Sequence, residues 1–313
     1  MPVKWKKDAV GEAAWTVLLG GLGLGLLLYG RPVSAAVAES LGLCVTVLLP
    51  SLFPFFVLSS LLTERAAGVR SWGLTRRLFG LPEALMPALI LGAVGGYPVG
   101  ARTAAQVYAQ GRCTREQAEK ALLFCNNAGP AFVISAVGAG MLGDEGLGLR
   151  LWLIHLLSAL LIRLFPRKNT GVVKDIHCTS VPANSTCGVT VFLQAVTGSF
   201  AAFLNVCAFV LAFAVLLCLL ERLPPLSALP PPWDGLLYGL LELTGGAARL
   251  AGSSLPRRVL LPAMSFLCGW GGLSVQCQTI DLLRRAGLPC RGYLKGKLLH
   301  GAAAAMLTLL ISG

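Results

Sequence analysis

The chain has 313 residues, 55% of them apolar and 13% charged, with a mean hydropathy of +0.73. Soluble domains carry about 25% charged residues, so separate soluble domains are excluded and one polytopic integral membrane domain over 1–313 is expected. The net charge of +12 does not indicate nucleic acid, because the Lys and Arg residues sit in short segments beside apolar runs, as topology signals do.

Lys4, Lys6 and Lys7 precede the first apolar run and put the N-terminus in the cytoplasm. That run, a helix over 13–30, is longer than a signal-peptide core and is followed by Arg31 and Pro32 rather than a small-residue cleavage site, so it stays as a helix. A second helix over 36–63 leads into Arg65, Arg70, Arg76 and Arg77, which fit a cytoplasmic loop. Helices are expected next at 84–110, 114–125, 129–143 and 147–165. The acidic turn at Asp144 and Glu145 fits the outside, and Arg163, Arg167, Lys168 and Lys174 bring the chain back in.

The polar interval 166–187 reads as a cytoplasmic linker between a first half, 31–165, and a second, 188–313. Its Cys178, Cys187 and His177 lack zinc spacing, and a disulfide is not expected in that compartment. Cysteines such as Cys44, Cys125, Cys207 and Cys268 lie in or beside apolar segments and read as small buried hydrophobes. No metal site is expected. The second half yields helices at 189–221, 234–253, 257–270, 272–286 and 291–312. Several segments are shorter than the roughly 20 residues needed to cross a hydrocarbon core of about 30 Å, so they are half-helices and re-entrant hairpins.

Within the segment 84–110 the run GGYPVGAR (95–102) places three glycines, a proline and an arginine where a membrane helix should be continuous. Freed backbone groups in hydrocarbon are tolerated only where protein or a watery cavity surrounds them, so the break suggests a binding site. Sliding the chain along itself until Gly95 and Gly96 fall on Gly271 and Gly272 also sets Val99 on Val275, Thr103 on Thr279, Gly111 on Gly287 and Arg115 on Arg291. Leu122 and Leu123 fall on Leu298 and Leu299, and all of these matches need no gap. Two pseudo-repeats with interrupted hydrophobic segments at matching positions are the pattern of a secondary transporter, whose site lies where the repeats meet. Charge does not decide whether the halves are inverted, since Arg112, Arg115 and Lys120 in one and Arg284, Arg285, Arg291, Lys295 and Lys297 in the other are all basic.

SLFPFF (51–56), GGYPVGAR (95–102) and FCNNAGP (124–130), followed by an apolar helix, resemble the sporulation integral membrane protein family with the nucleoside-recognition, or gate, domain. The resemblance spans nearly the whole chain in the same order, with ELTGG (242–246) at the polar break of the second half. It implies an all-α polytopic fold with two pseudo-repeats, broken helices and re-entrant hairpins, distantly like concentrative nucleoside transporters. It also implies transport of dipicolinate across the outer forespore membrane of a spore-forming bacterium, with a nucleoside or related heterocycle as the alternative solute. A non-transporting membrane scaffold of the sporulation machinery is the rival of a different class. GWGGLSVQCQT (269–279) departs from the first half by carrying Leu273 and Ser274 where Tyr97 and Pro98 stand, so its solute contacts cannot be copied across.

On their own chemistry, Gly95, Gly96, Gly100 and Gly129 allow close backbone approach to a ligand or to a neighbouring helix, and Pro98 leaves a carbonyl without its intrahelical donor. Tyr97 belongs to the same break. Arg102 follows it in an apolar stretch, where an unpaired guanidinium is costly; its fork matches a carboxylate, so an anionic solute is its expected partner. The bland alternative is snorkelling or a pair with Glu242 or Asp281. Asn126 and Asn127 can both donate to and accept from a polar ligand, or merely cap helices, and Thr114 with Gln117 forms a capping-box pattern. Glu242 and Thr244 form the second-half polar break, where a carboxylate could carry a coupling H+ or Na+ or simply face water. Gln276 and Gln278 are uncharged candidates opposite Arg102, while Asp281 pairs more readily with Arg284 or Arg285. His155 and His300 each stand alone on an apolar helix and read as structural.

No GxxxxGK[ST], HExxH or GxSxG occurs, so the chain is expected not to be an enzyme and to need no cofactor. Its expected partners are a small anionic solute and the lipid bilayer, with a homo-oligomer left open.

Overall fold

The computed structural model describes residues 9–65, 79–162, 188–222, 229–290 and 292–312. The basic flanks Lys4, Lys6, Lys7, Arg70, Arg76, Arg77, Arg163, Arg167, Lys168 and Lys174, the side chain of Arg65, the interval 166–187 with its Cys and His cluster, and Arg291 lie outside the described residues. Among the described residues every regular element is helical.

The chain opens with α1 (Ala9–Leu28), which bends by 93° at Tyr29 into α2 (Gly30–Leu43). A π-helical turn, Cys44–Leu48, joins α2 to α3 (Leu49–Arg65), so the expected helix 36–63 is longer and locally widened. Pro50 and Pro54 withhold two backbone donors next to that turn, a recognised cause of local rewinding.

The expected segment 84–110 is two helices, α4 (Met86–Val94), entered through the 3₁₀ turn Glu83–Leu85, and α5 (Val99–Ala109). They fold back on one another, because Gly92 and Gly100 lie backbone to backbone: a Cβ on Gly92 would stand 3.0 Å from the Gly100 Cα. The break is thus the tip of a hairpin rather than a kink in one span. A helix the length of α4 rises only about 14 Å, which is half a bilayer.

α6 (Arg115–Cys125) starts at the expected capping box, with the Thr114 hydroxyl accepting from the Gln117 amide and the Gln117 side chain accepting from the Thr114 amide. α7 (Ala131–Met141), wound as a π-helix, and α8 (Glu145–Leu161) form a second hairpin closed by Gly138 against Gly148, with Asp144 capping α8 at 2.9 Å. α9 (Gly188–Leu220) is 33 residues long and packs on α2 and α3.

The expected helix 234–253 is likewise two, α10 (Trp233–Leu241) and α11 (Leu243–Ala251), a third hairpin in which a Cβ on Gly246 would overlap the Gly239 backbone. α12 (Arg257–Trp270) and α13 (Gly272–Arg285) meet at Gly271 (φ +86°) and Gly272 (φ +78°), and α14 (Tyr293–Ser312) packs along α12 with Gly269 against Gly301. By length and composition α9, the interrupted stretch Arg257–Arg285 and Tyr293–Ile311 can each cross a membrane, and the bent pair α1–α2 makes a fourth if taken as one span. Exposed apolar side chains such as Leu27, Phe192 and Leu310 are the surface such helices turn to lipid.

Some turns recur at the offset that sets Gly95 on Gly271. α4 ends at Val94 and α12 at Trp270, while α5 ends at Ala109 and α13 at Arg285. The amide of Gly95 donates to the Leu91 carbonyl at 2.7 Å and that of Gly271 to Leu267 at 2.8 Å. Further on, Arg112 donates to Val107 at 3.1 Å and Leu288 to Leu283 at 2.9 Å, beside Gly111 and Gly287 at φ +68° and +72°. The paths nonetheless part: α4 and α5 reverse the chain, whereas Arg257–Arg285 is one interrupted apolar stretch.

Candidate functional site

The interruptions in the helices lie against each other. A Cβ on Gly96 would stand 2.9 Å from the Gly129 amide, so the tip of the α4–α5 hairpin rests on the α6–α7 break. The Tyr97 hydroxyl donates to the Cys268 carbonyl at 2.8 Å, and its ring covers Gly271. Gly272 in turn lies against the backbone of Glu242 and Leu243, where α10 gives way to α11. Glycines are needed at these points because backbones approach within a side chain's width, and because Gly96, Gly271 and Gly272 have positive φ.

Beside this junction a cavity of about 360 Å³ is lined by Phe56, Pro98, Arg102, Gln106, Asn205 and Gln278, and by the ion pair of Asp281 with Arg285 at 2.8 Å. Arg102 is 7% exposed. Its Nη1 donates to the Phe56 carbonyl at 2.9 Å, both terminal nitrogens stand 3.4 Å from the Ser199 hydroxyl, and its guanidinium carbon is 4.9 Å from the Phe56 ring centroid. The expected bland partners, Glu242 and Asp281, are therefore not its partners. Asp281 is matched by Arg285, which leaves Arg102 as the cation of the lining without a carboxylate among the described residues. A buried cation held by neutral oxygens retains affinity for an anion, since its charge is solvated but not neutralised.

The remaining candidates divide. Gln278 shares the cavity with Arg102, whereas Gln276 turns its amide to the Trp270 carbonyl. Asn126 donates to the Tyr293 hydroxyl at 2.5 Å and to the Thr279 hydroxyl at 3.2 Å, and Asn127 to the Phe124 carbonyl at 2.7 Å. Glu242 is half-buried, and its carboxylate accepts from the Thr244 and Gly245 amides at 3.0 and 2.7 Å, capping α11; the Thr244 side chain is exposed. The backbone breaks converge, but the side chains of Arg102, the two asparagines and Glu242 do not meet around one space.

A second buried cluster is missing from the sequence reading. Lys297, 0% exposed on α14, donates from Nζ to the Asn126 carbonyl at 2.7 Å, lies 3.0 Å from His300 Nδ1 and sits 5.0 Å from the Tyr97 ring centroid. His300 Nε2 is 2.9 Å from the His155 carbonyl, and the two imidazoles stack with centroids 4.4 Å apart. His155 Nε2 accepts from the Ala128 amide at 3.0 Å. The histidines are thus not solitary, as their isolation on two apolar helices suggests, but are joined across the fold. The signal was available: Tyr293, Lys297, His300, Ala304 and Thr308 form one buried helical stripe.

No protein-family profile matches the chain, and no solved structure matches it. It is 28% identical over 320 aligned positions to the sporulation integral membrane protein YlbJ of Bacillus subtilis, an alignment covering 90% of this chain and 78% of that protein. This similarity supports the resemblance to the sporulation integral membrane protein family.

Proposed function

We propose, from a chain whose similarity supports the sporulation integral membrane protein family, that it is a secondary transporter or facilitator of a small anionic solute. The first solute to test is dipicolinate, moved from the mother cell across the outer forespore membrane. The reading rests above all on Arg102, a buried arginine on a cavity of about 360 Å³ with neutral oxygens as partners. That volume is near the lower end of ligand pockets, about 300 to 1,000 Å³, and suits a small heterocyclic dianion.

The recurrence of the turns around Gly95 and Gly111 at Gly271 and Gly287 supports two pseudo-repeats, and the meeting of their breaks supports a solute path at the repeat interface. In this reading the three short hairpins are re-entrant, the N-terminus is cytoplasmic, and H+ or Na+ is the coupling ion.

Deleting the gene and measuring dipicolinate in spores and mother cells tests solute and role together. The expected result is dipicolinate retained in the mother cell and missing from the spore. Complementation with Arg102→Ala should leave that defect in place although the protein reaches the membrane. A normal spore content in the deletion strain removes dipicolinate as the solute, and full rescue by Arg102→Ala favours a scaffold, which has no use for a buried cation.

A further inference from the structure

We propose that Lys297 and His300 share one exchangeable proton and form the binding site for a coupling proton, with the His155 carbonyl fixing the tautomer. What the proton is coupled to rests on the transport reading above; the proton site itself does not.

The hydrogen bonds determine the roles. A carbonyl can only accept, so His300 must carry its proton on Nε2 to meet the His155 carbonyl at 2.9 Å. A neutral His300 therefore presents a lone pair at Nδ1 to Lys297 Nζ, 3.0 Å away. With the proton on lysine, the ammonium donates to Nδ1 and to the Asn126 carbonyl. If the proton moves, one N–H bond breaks at Nζ and one forms at Nδ1; the imidazolium then donates to the amine, which still donates to Asn126, and the charge of the pair is unchanged. If the proton leaves altogether, the amine has two hydrogens for the same two acceptors. Each state keeps its hydrogen bonds with the heavy atoms in place, so the pair can load and unload without leaving a buried polar group stranded.

Among the described residues the surroundings hold no charge that would fix the proton. The groups facing the pair are Tyr97 from the α4–α5 tip, Cys125 at the end of α6 and His155 from α8; Cys268 of α12 and Tyr293 of α14 stand next, against Tyr97. No carboxylate among the described residues lies within ion-pair distance of Nζ. His155 Nε2 accepts from the Ala128 amide, so the His155 proton is on Nδ1, which has no hydrogen-bond partner among the described residues.

The pair is also linked to the cavity by two short routes. Asn126, whose carbonyl takes the Lys297 proton donor, donates through its side chain to Thr279, the neighbour of cavity-lining Gln278. Tyr97, whose ring lies over Nζ, is the neighbour of cavity-lining Pro98. A change of charge at the pair is therefore placed beside two elements that also line the space Arg102 faces.

The experiment uses the full chain in nanodiscs with ¹⁵N-labelled histidine and lysine, followed by NMR from about pH 5 to 9. The His300 and Lys297 signals should move together at one common midpoint, and the midpoint of the remaining partner should shift in Lys297→Met and in His300→Asn, which keeps an acceptor for lysine but cannot take the proton. Signals that stay fixed over that range overturn the proposal. In proteoliposomes with dipicolinate as the probe, His300→Asn should lose about tenfold of the accumulation driven by a pH gradient while solute counterflow is retained. Wild-type accumulation in that variant also overturns it. A pair that titrates in a protein with no counterflow upholds the proton site and removes the transport reading instead.

Discussion

Arg102 of α5 and Gln278 of α13 are counterparts at the offset that sets Gly95 on Gly271, and they line the same cavity, one charged and one neutral. At the same offset Lys297 of α14 falls on Ala121 of α6, both fully buried, again one charged and one not. Between these two stretches the turns recur and the buried charges do not. The reason is physical: Gly96, Gly111, Gly272 and Gly287 have positive φ, where a side chain is strained, so the backbone tolerates little drift. A side chain facing a cavity or a polar cluster is under no such backbone constraint. Each stretch thus supplies one buried cation, and never at the same place.

The strongest way to break the comparison is at Gly100, whose counterpart is the buried side chain Gln276. A Cβ on Gly100 would overlap the Cys125 carbonyl, so Gly100→Val should yield no folded, monodisperse protein, a cost above about 4 kcal/mol. Size-exclusion profiles and thermal unfolding in detergent read this directly; a well-behaved variant would mean that the α4–α5 hairpin is not seated on α6.

Next comes the charge itself. Arg102→Gln makes the two cavity positions alike and should lower counterflow of an anion by about tenfold or more with little change in melting temperature. Adding Gln278→Arg to that variant moves the cation across the cavity and should recover part of the flux. No recovery would mean that the guanidinium works only where Phe56 and Ser199 hold it.

Smaller effects test the shared turns. Gly111→Ala and Gly287→Ala meet open space, so each should cost about 1–2 kcal/mol from the left-handed backbone alone, and by similar amounts. Unequal melting shifts would deny that the two turns are equivalent. The mildest substitution is Tyr97→Phe, which removes the bond to the Cys268 carbonyl between the stretches and should cost about 1 kcal/mol in thermal unfolding.

Much of the helical order was legible because glycine, proline and capping residues punctuate a chain even when it is uniformly apolar. Thr114 with Gln117 starts α6, and the breaks at Gly95 and Gly271 stand where the glycines are. Chain direction was not legible. Whether a break reverses the chain, as at Gly96, or interrupts one stretch, as at Gly271, depends on Gly92 and Gly100 finding Cys125, which is a tertiary fact. A carboxylate in an apolar run invites a role with H+ or Na+ or a place facing water, and Glu242 takes two backbone amides as the cap of α11, a use that no local pattern singles out. Lys297 was hidden by its position near the start of an apolar helix, where a lysine normally marks topology. Its partner carbonyl at Asn126 lies in the other half of the chain, beyond any local pattern.

The length of α9 has a consequence for the lipid. Its 33 residues rise about 50 Å, against a hydrocarbon core of about 30 Å, so the helix must lean, protrude or thicken the bilayer around it. Ser199 rides on this helix and holds the Arg102 fork from the far side, while α2 and α3 brace it laterally. A change in acyl-chain length that alters the lean of α9 would slide that hydroxyl relative to the guanidinium, so membrane thickness becomes a variable of the cavity, transmitted through one serine.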